Sequence, residues 1–344
     1  MTWVPLLLTD SSPCLRLKVL TNLLNKKSDD TEVMELKKLR KEDPLYKNTI
    51  HFQNSDGSWN INTSFGYKTS DRIQTTSLEL IRLGYIGFTK ENSHILNGIN
   101  YLLSQQNDDG SWPIQYTKSL TPEEEQYEMM PIQTALPIFA LLICDYQQDK
   151  RINKAFRWLL KNRLDDGAWP VGVNSGVYGG IAGYRRLSHS KWGCRASTTA
   201  VLNCFAYHPE WRRSLEAQRA LDLILGTDIK SRKNLGFVVA RRIGLESSYG
   251  RITYFAKFDL AHILDLVWRV GASVEDKRIL EIINYLRKIQ GEYGLWEYKN
   301  DPKGTRWITY DILRSLSCLD DSSNWISLEP QTPFEAYPRK EKRY

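Results

Sequence analysis

The 344-residue chain has only five cysteines, Cys14, Cys144, Cys194, Cys204 and Cys318, and no CxxC pair. That excludes a zinc ribbon or a thioredoxin-like redox motif, and thiols lying mostly in apolar runs fit the reduced interior of a cytoplasmic protein. Long apolar stretches are also missing. The longest, "ALPIFALLIC" at 135–144, is about half the length that spans a bilayer. No basic segment precedes the short apolar run of "MTWVPLLLTD", so no secretory signal is expected. Peripheral contact with a membrane stays open. The glycine-rich "VGVNSGVYGGIAGYRRLSHS" at 171–190 lacks GxxxxGK and follows no strand pattern, which excludes a nucleotide fingerprint. A net charge of +7 is spread along the chain rather than clustered, so no nucleic-acid partner is expected.

Alternating strand patterns are scarce, and repeats take their place. "HFQNSDGSW" (51–59), "YLLSQQNDDGSW" (101–112), "WLLKNRLDDGAW" (158–169) and "YLRKIQGEYGLW" (285–296) resemble one another. The last three share an aromatic residue, Leu, three residues, Gln or Arg, three residues, Gly, any residue and Trp. Gln53, Gln106, Arg163 and Gln290 are 53, 57 and 127 residues apart, so a copy without Gly-x-Trp is expected near residue 225.

Between these copies lie more apolar segments, at 72–87, 131–146, 195–209, 255–271 and 306–320, with 13–24 as a sixth. Their apolar residues recur at three and four residues, as in buried helices, whereas the helices ending in the repeat are amphipathic. The expectation is an all-α protein, an α/α toroid of about six inner and five to six outer helices. Residues 1–30 would pack on the toroid, 31–325 would form it, and 326–344 would be an exposed tail.

The repeat is similar to the QW repeat of squalene and hopene cyclases, and the architecture resembles the terpenoid-cyclase and protein-prenyltransferase toroids. The N-terminal "SSPCLRLKVLTNLLNKKSDDTEV" is similar to that of bacterial proteins with such repeats. The resemblance implies a hydrophobic, isoprenoid-like small molecule in a central cavity. It does not bring the cyclases' Asp-x-Asp-Asp acid motif, which is missing here, so an acid would have to come from elsewhere. The prenyltransferase relatives imply zinc, with Cys194, Asp259 and His262 as the available ligands. Trp192 stands where their Asp would be, and a buried thiol with a hydrogen-bonded histidine is the simpler reading.

Aligning the inner segments places Thr75, Thr134, Thr198, Asp259 and Asp311 together. The two aspartates are candidate acids, with His262 beside the first, and either could equally be a helix cap. Tyr254, Trp307 and Tyr310 supply aromatic surroundings. Arg72, Arg185, Lys191, Arg195, Lys257 and Arg306 lie near the starts of inner helices, where they could hold an anionic or diphosphate head or pair with nearby acids. The expected function is thus isoprenoid binding, with proton-initiated cyclisation or isomerisation. A lipid- or peptide-binding module without turnover and a zinc-dependent or glycan-processing toroid are the alternatives.

Overall fold

Capping and packing side chains decide where the helices of this chain begin and which face turns inward. The computed structural model describes residues 3–60, 71–114, 124–227, 234–247, 250–319 and 325. In chain order its helices are α1 (Trp3–Leu8), α2 (Pro13–Asn22), α3 (Thr31–Leu39), α4 (Pro44–His51), α5 (Arg72–Tyr85), α6 (Ser93–Ser104) and α7 (Pro131–Ile143). There follow α8 (Lys150–Lys161), α9 (Arg195–Tyr207), α10 (Leu215–Leu225), α11 (Phe237–Arg242), α12 (Leu260–Val270), α13 (Lys277–Ile289) and α14 (Gly304–Ser317). A two-residue hairpin, β1 (Val173–Asn174) and β2 (Val177–Tyr178), lies in the glycine-rich segment.

Asp71, Asn92, Asp149, Ser214 and Asp276 each accept a backbone N–H from the first turn of the helix that follows. Such caps satisfy donors that a helix start leaves open. Burial then separates two layers. In α5 nearly every side chain from Ile73 to Leu83 is buried, whereas α8 buries only Ile152, Ala155, Phe156, Trp158 and Leu159. The inner layer runs α5, α7, α9, α12 and α14, each packed on the next. Outside it lie the amphipathic α6, α8, α10 and α13, with α4 against α5. The fold is an all-α toroid.

The repeat turns fasten the layers. In each, the Trp ring is fully or almost fully buried and its Nε1 donates to a carbonyl ten residues earlier: Trp59 to Thr49, Trp112 to Leu102, Trp169 to Leu159 and Trp296 to Leu286, at 2.7–2.8 Å. The backbone N–H of the same Trp donates to a threonine hydroxyl on the next inner helix: Thr76, Thr134, Thr198 or Thr309. One residue therefore ties the end of an outer helix to the following inner helix. The equivalent inner positions are these four threonines, which corrects the alignment of Thr75, Asp259 and Asp311 with Thr134 and Thr198. The Gln closes the turn, as Gln106 Nε2 donates to the carbonyls of Gly110 and Arg151. Glycine is required there: Gly110 has φ +94°, and a Cβ would lie 2.6 Å from the Lys154 backbone.

Near residue 225, where the turn is missing, Asp222 instead pairs with Arg219 and Arg278. Two pieces outside the repeat complete the ring. Helix α11 packs on α14 and α5, and α2 packs on α14. Arg82 of α5 donates to the Arg242 carbonyl at the end of α11. No helix among the described residues is long and apolar enough to cross a membrane. The expected tail at 326–344 lies outside the described residues.

Candidate functional site

On α12, His262, Asp265 and Arg269 stand at helical spacings of three and four, and on α14 Asp311 and Arg314 do the same. Such spacing puts each set on one face. Lys18 of α2 and Arg242 of α11 complete the cluster. The aromatic neighbours are close: the Lys18 ammonium is 5.3 Å from the Tyr85 ring and 5.4 Å from the Tyr310 ring. Arg242 lies 5.2 Å from Tyr85 and 5.7 Å from Phe139. Arg269 lies 3.8 Å from Tyr207 and 4.3 Å from Trp268, and Arg314 is 5.6 Å from Trp268.

The N-terminal halves of α5, α7, α9 and α12 are buried almost without interruption. Towards the other end of the ring, Tyr207, Trp268, Arg269, Asp311 and Arg314 keep partial exposure, as does Lys18. Burial is the leading influence on the titration of Lys18, Tyr207, Arg269, Asp311 and Arg314, yet water reaches them. Partly exposed charged and aromatic side chains gathered at this end of the ring make it the candidate site. The charged side chains there come mainly from the second halves of α12 and α14, whereas the sequence points to candidate binding groups at the helix starts.

The charges there are unequal. Burial, with Asp265 adding to it, pushes the Asp311 carboxyl up to about 6 against the pull of Arg242, Lys18 and Arg314. Burial also lowers Lys18 to about 8, Arg314 acting in the same direction. Asp265 differs: burial favours its neutral form, but Arg269 Nε donates to both its carboxylate oxygens at 3.0 Å and holds it ionised. His262 is brought down to about 3 by burial first and Arg242 second, so it is neutral. Its ring stacks on Phe255, and Nε2 lies 3.2 Å from the Asn203 amide.

The candidates named from sequence separate by position. Asp311, His262, Tyr310 and Trp307 lie in or against this cluster, Trp307 packing 5.5 Å from Tyr85. Tyr254 is buried, with its ring 4.7 Å from Phe255. Asp259 faces other work: Oδ1 accepts from the backbone N–H groups of Gly236 and Ala261, and Oδ2 from that of Val238. It caps α12 and anchors the start of α11, so its reading as a catalytic acid is corrected.

The basic candidates are dispersed. Arg72 pairs with Asp56, and Arg195 donates to the Tyr184 and Arg186 carbonyls and the Thr227 hydroxyl. Arg185 is fully buried beside Tyr184, while Lys191 is exposed over Trp192. Lys257 lines an outer cleft of about 600 Å³ with Phe237 and Tyr298. Arg306 pairs with Asp10 at another cleft, of about 630 Å³. They do not form one head-group site.

Zinc does not fit the residues present. Asp259 gives both oxygens to backbone donors, and among the described residues no three His, Cys, Asp or Glu side chains gather as a metal site. The residues that sequence reasoning missed are Lys18, Arg242, Asp265 and Arg269. A usable signal was present for two of them, because Asp265 and Arg269 break an otherwise apolar helix at a four-residue step.

Residues 20–181 match the squalene-hopene cyclase C-terminal domain. The chain is 28% identical to lanosterol synthase erg7A of Aspergillus fumigatus over 140 residues, which are 40% of this chain and 18% of that enzyme. It is 25% identical to the lanosterol synthase of Candida albicans over 126 residues, 36% of this chain and 17% of the enzyme. The matched part is thus less than a fifth of either relative's length. Among solved structures, the type II terpene cyclase MstE from Scytonema is similar with a TM-score of 0.36 and 12% identity, over 79% of this chain and 95% of that one. With the ring and its matched segment in view, the chain is an α/α toroid whose residues 20–181 are similar to the squalene-hopene cyclase C-terminal domain.

Proposed function

We propose that the ring encloses a central chamber beside this cluster, that the chain binds an isoprenoid-type hydrophobic molecule there, and that Asp311 donates the proton that starts its cyclisation or isomerisation. The observation that carries this reading is Asp311 itself, a carboxyl raised to about 6 on a partly exposed inner-helix position amid aromatic rings. In the step proposed, the Asp311 O–H bond breaks as a C–H bond forms at an alkene carbon, leaving a carbocation that a second double bond captures. Loss of a proton from the product ends the sequence. Tyr85, Tyr207 and Trp268 offer π-faces to the positive charge. Lys18, Arg242 and Arg314 stabilise the carboxylate that Asp311 becomes, which strengthens it as an acid.

The same three cations repel a carbocation formed beside them, and that observation favours a second reading, a carrier that binds without turnover. The test is incubation of the full chain with linear C15 to C30 isoprenoids and their diphosphates, followed by mass spectrometry of the extract. The expected result is a product whose rate falls about 10²- to 10⁴-fold in Asp311→Asn. Undiminished product in that variant would overturn the acid assignment, and bound but unconverted isoprenoid would select the carrier. With Asp311 as the acid, the rate also declines about tenfold per pH unit above its pKa near 6.

A further inference from the structure

The cluster holds more positive than negative charge. Lys18, Arg242, Arg269 and Arg314 face two carboxylates, Asp265 and Asp311. The salt bridge among these groups joins Asp265 to Arg269, so that pair is matched. Asp311 is left among three cations and makes a salt bridge with none of them. Arg242 is 2% exposed, and its Nε and Nη2 have no hydrogen-bond partner among the described residues. Buried guanidinium N–H groups are ordinarily satisfied, and leaving them and their charge unmatched is costly. The faces of Tyr85 and Phe139 soften that cost without neutralising the charge.

We propose that the chamber takes an apolar chain ending in an oxyanion, a carboxylate or a phosphate, and that Lys18, Arg242 and Arg314 hold that end. This rests on the chamber being the site for an isoprenoid-type molecule. The three cations, from three helices, all act on Asp311, so an anion beside that residue would feel all of them, and the planar Arg forks suit two-point contact with either group. The aromatic wall beside them takes the apolar part. The same set explains why Lys18 and Arg242 come from helices outside the repeat: a ring of stapled apolar helices supplies the wall, and the closing pieces supply the charge.

The test is calorimetric titration of the full chain at pH 7 with farnesyl diphosphate, farnesoic acid, farnesol and palmitate. The two anionic farnesyl compounds separate the phosphate from the carboxylate end. At least one is expected to bind about tenfold or more tightly than farnesol, with inorganic pyrophosphate competing if the phosphate is preferred. Arg314→Gln, at a partly exposed position, is expected to remove most of that preference, and Arg242→Gln to do the same if it folds. Farnesol binding as tightly as both anions would overturn the oxyanion site while leaving the isoprenoid reading in place. An anion preference kept in full by Arg314→Gln and Lys18→Met would also overturn it. Palmitate binding that Arg314→Gln weakens, with no farnesyl compound bound, would uphold the oxyanion site and remove the isoprenoid reading. No binding of any of the four would remove both.

Discussion

Between about pH 4 and 6 the folded chain keeps a proton on Asp311 that the unfolded chain has lost, because burial raises this carboxyl to about 6. The folded state binds more protons in that window, so this group's contribution to stability falls as pH rises through it. Above pH 6 the folded protein carries the cost of ionising Asp311 in a buried place. Asp311→Asn is therefore expected to be more stable than the wild type at pH 8, by about 1–2 kcal/mol after allowance for partial exposure, with the advantage vanishing towards pH 4. Urea denaturation at both pH values checks the sign. Asp259→Ala should do the opposite: it leaves buried N–H groups of Gly236, Ala261 and Val238 unmatched and costs about 2–4 kcal/mol at pH 7. Its effect on ligand affinity, measured on the folded protein by titration, should be small, because its carboxylate points to backbone.

At the scale of elements, the repeat turn makes one Trp serve two helices, and its removal should be felt by both. Trp112→Ala is expected to cost about 3–5 kcal/mol, combining a large cavity with the loss of the indole N–H bond to Leu102, while its backbone N–H can still reach Thr134. Gln106→Ala, which loses two hydrogen bonds at a partly exposed site, should cost about 1–2 kcal/mol. Equal losses in the two variants, read from denaturation midpoints, would contradict this ranking. These elements were legible in sequence because a turn repeated at intervals of 53 and 57 residues betrays itself, and because inner and outer helices differ in apolar pattern. The candidate site was less legible. Asp259 and Asp311 share residue type and apolar surroundings, and only the fold shows that one meets backbone N–H groups while the other meets Lys18, Arg242 and Arg314. Arg242 follows residues 228–233 in an insert with no counterpart in the repeat, and nothing periodic points to it.

At the scale of the whole molecule, each inner helix α5, α7, α9 and α12 is packed on the next in the ring. A ligand that binds there touches several helices at once and should raise the stability of the ring as a unit. At a concentration one hundred times its Kd, it is expected to add about 2.7 kcal/mol to unfolding, as a shift of one transition rather than the appearance of a second. Thermal unfolding with and without the bound chain checks this, and two separated transitions would indicate that the halves of the ring unfold independently.

The closing of the ring by α2 and α11 has a consequence for how such a protein can change. Trp-stapled helices constrain one another, so a substitution in one repeat disturbs two layers. Lys18 and Arg242 stand on the two pieces that owe nothing to that repeat. Exchanging the charge they carry would redirect the chamber from anionic to neutral guests while every staple stayed in place. The seam is the part of the molecule where ligand choice can drift without the architecture following it.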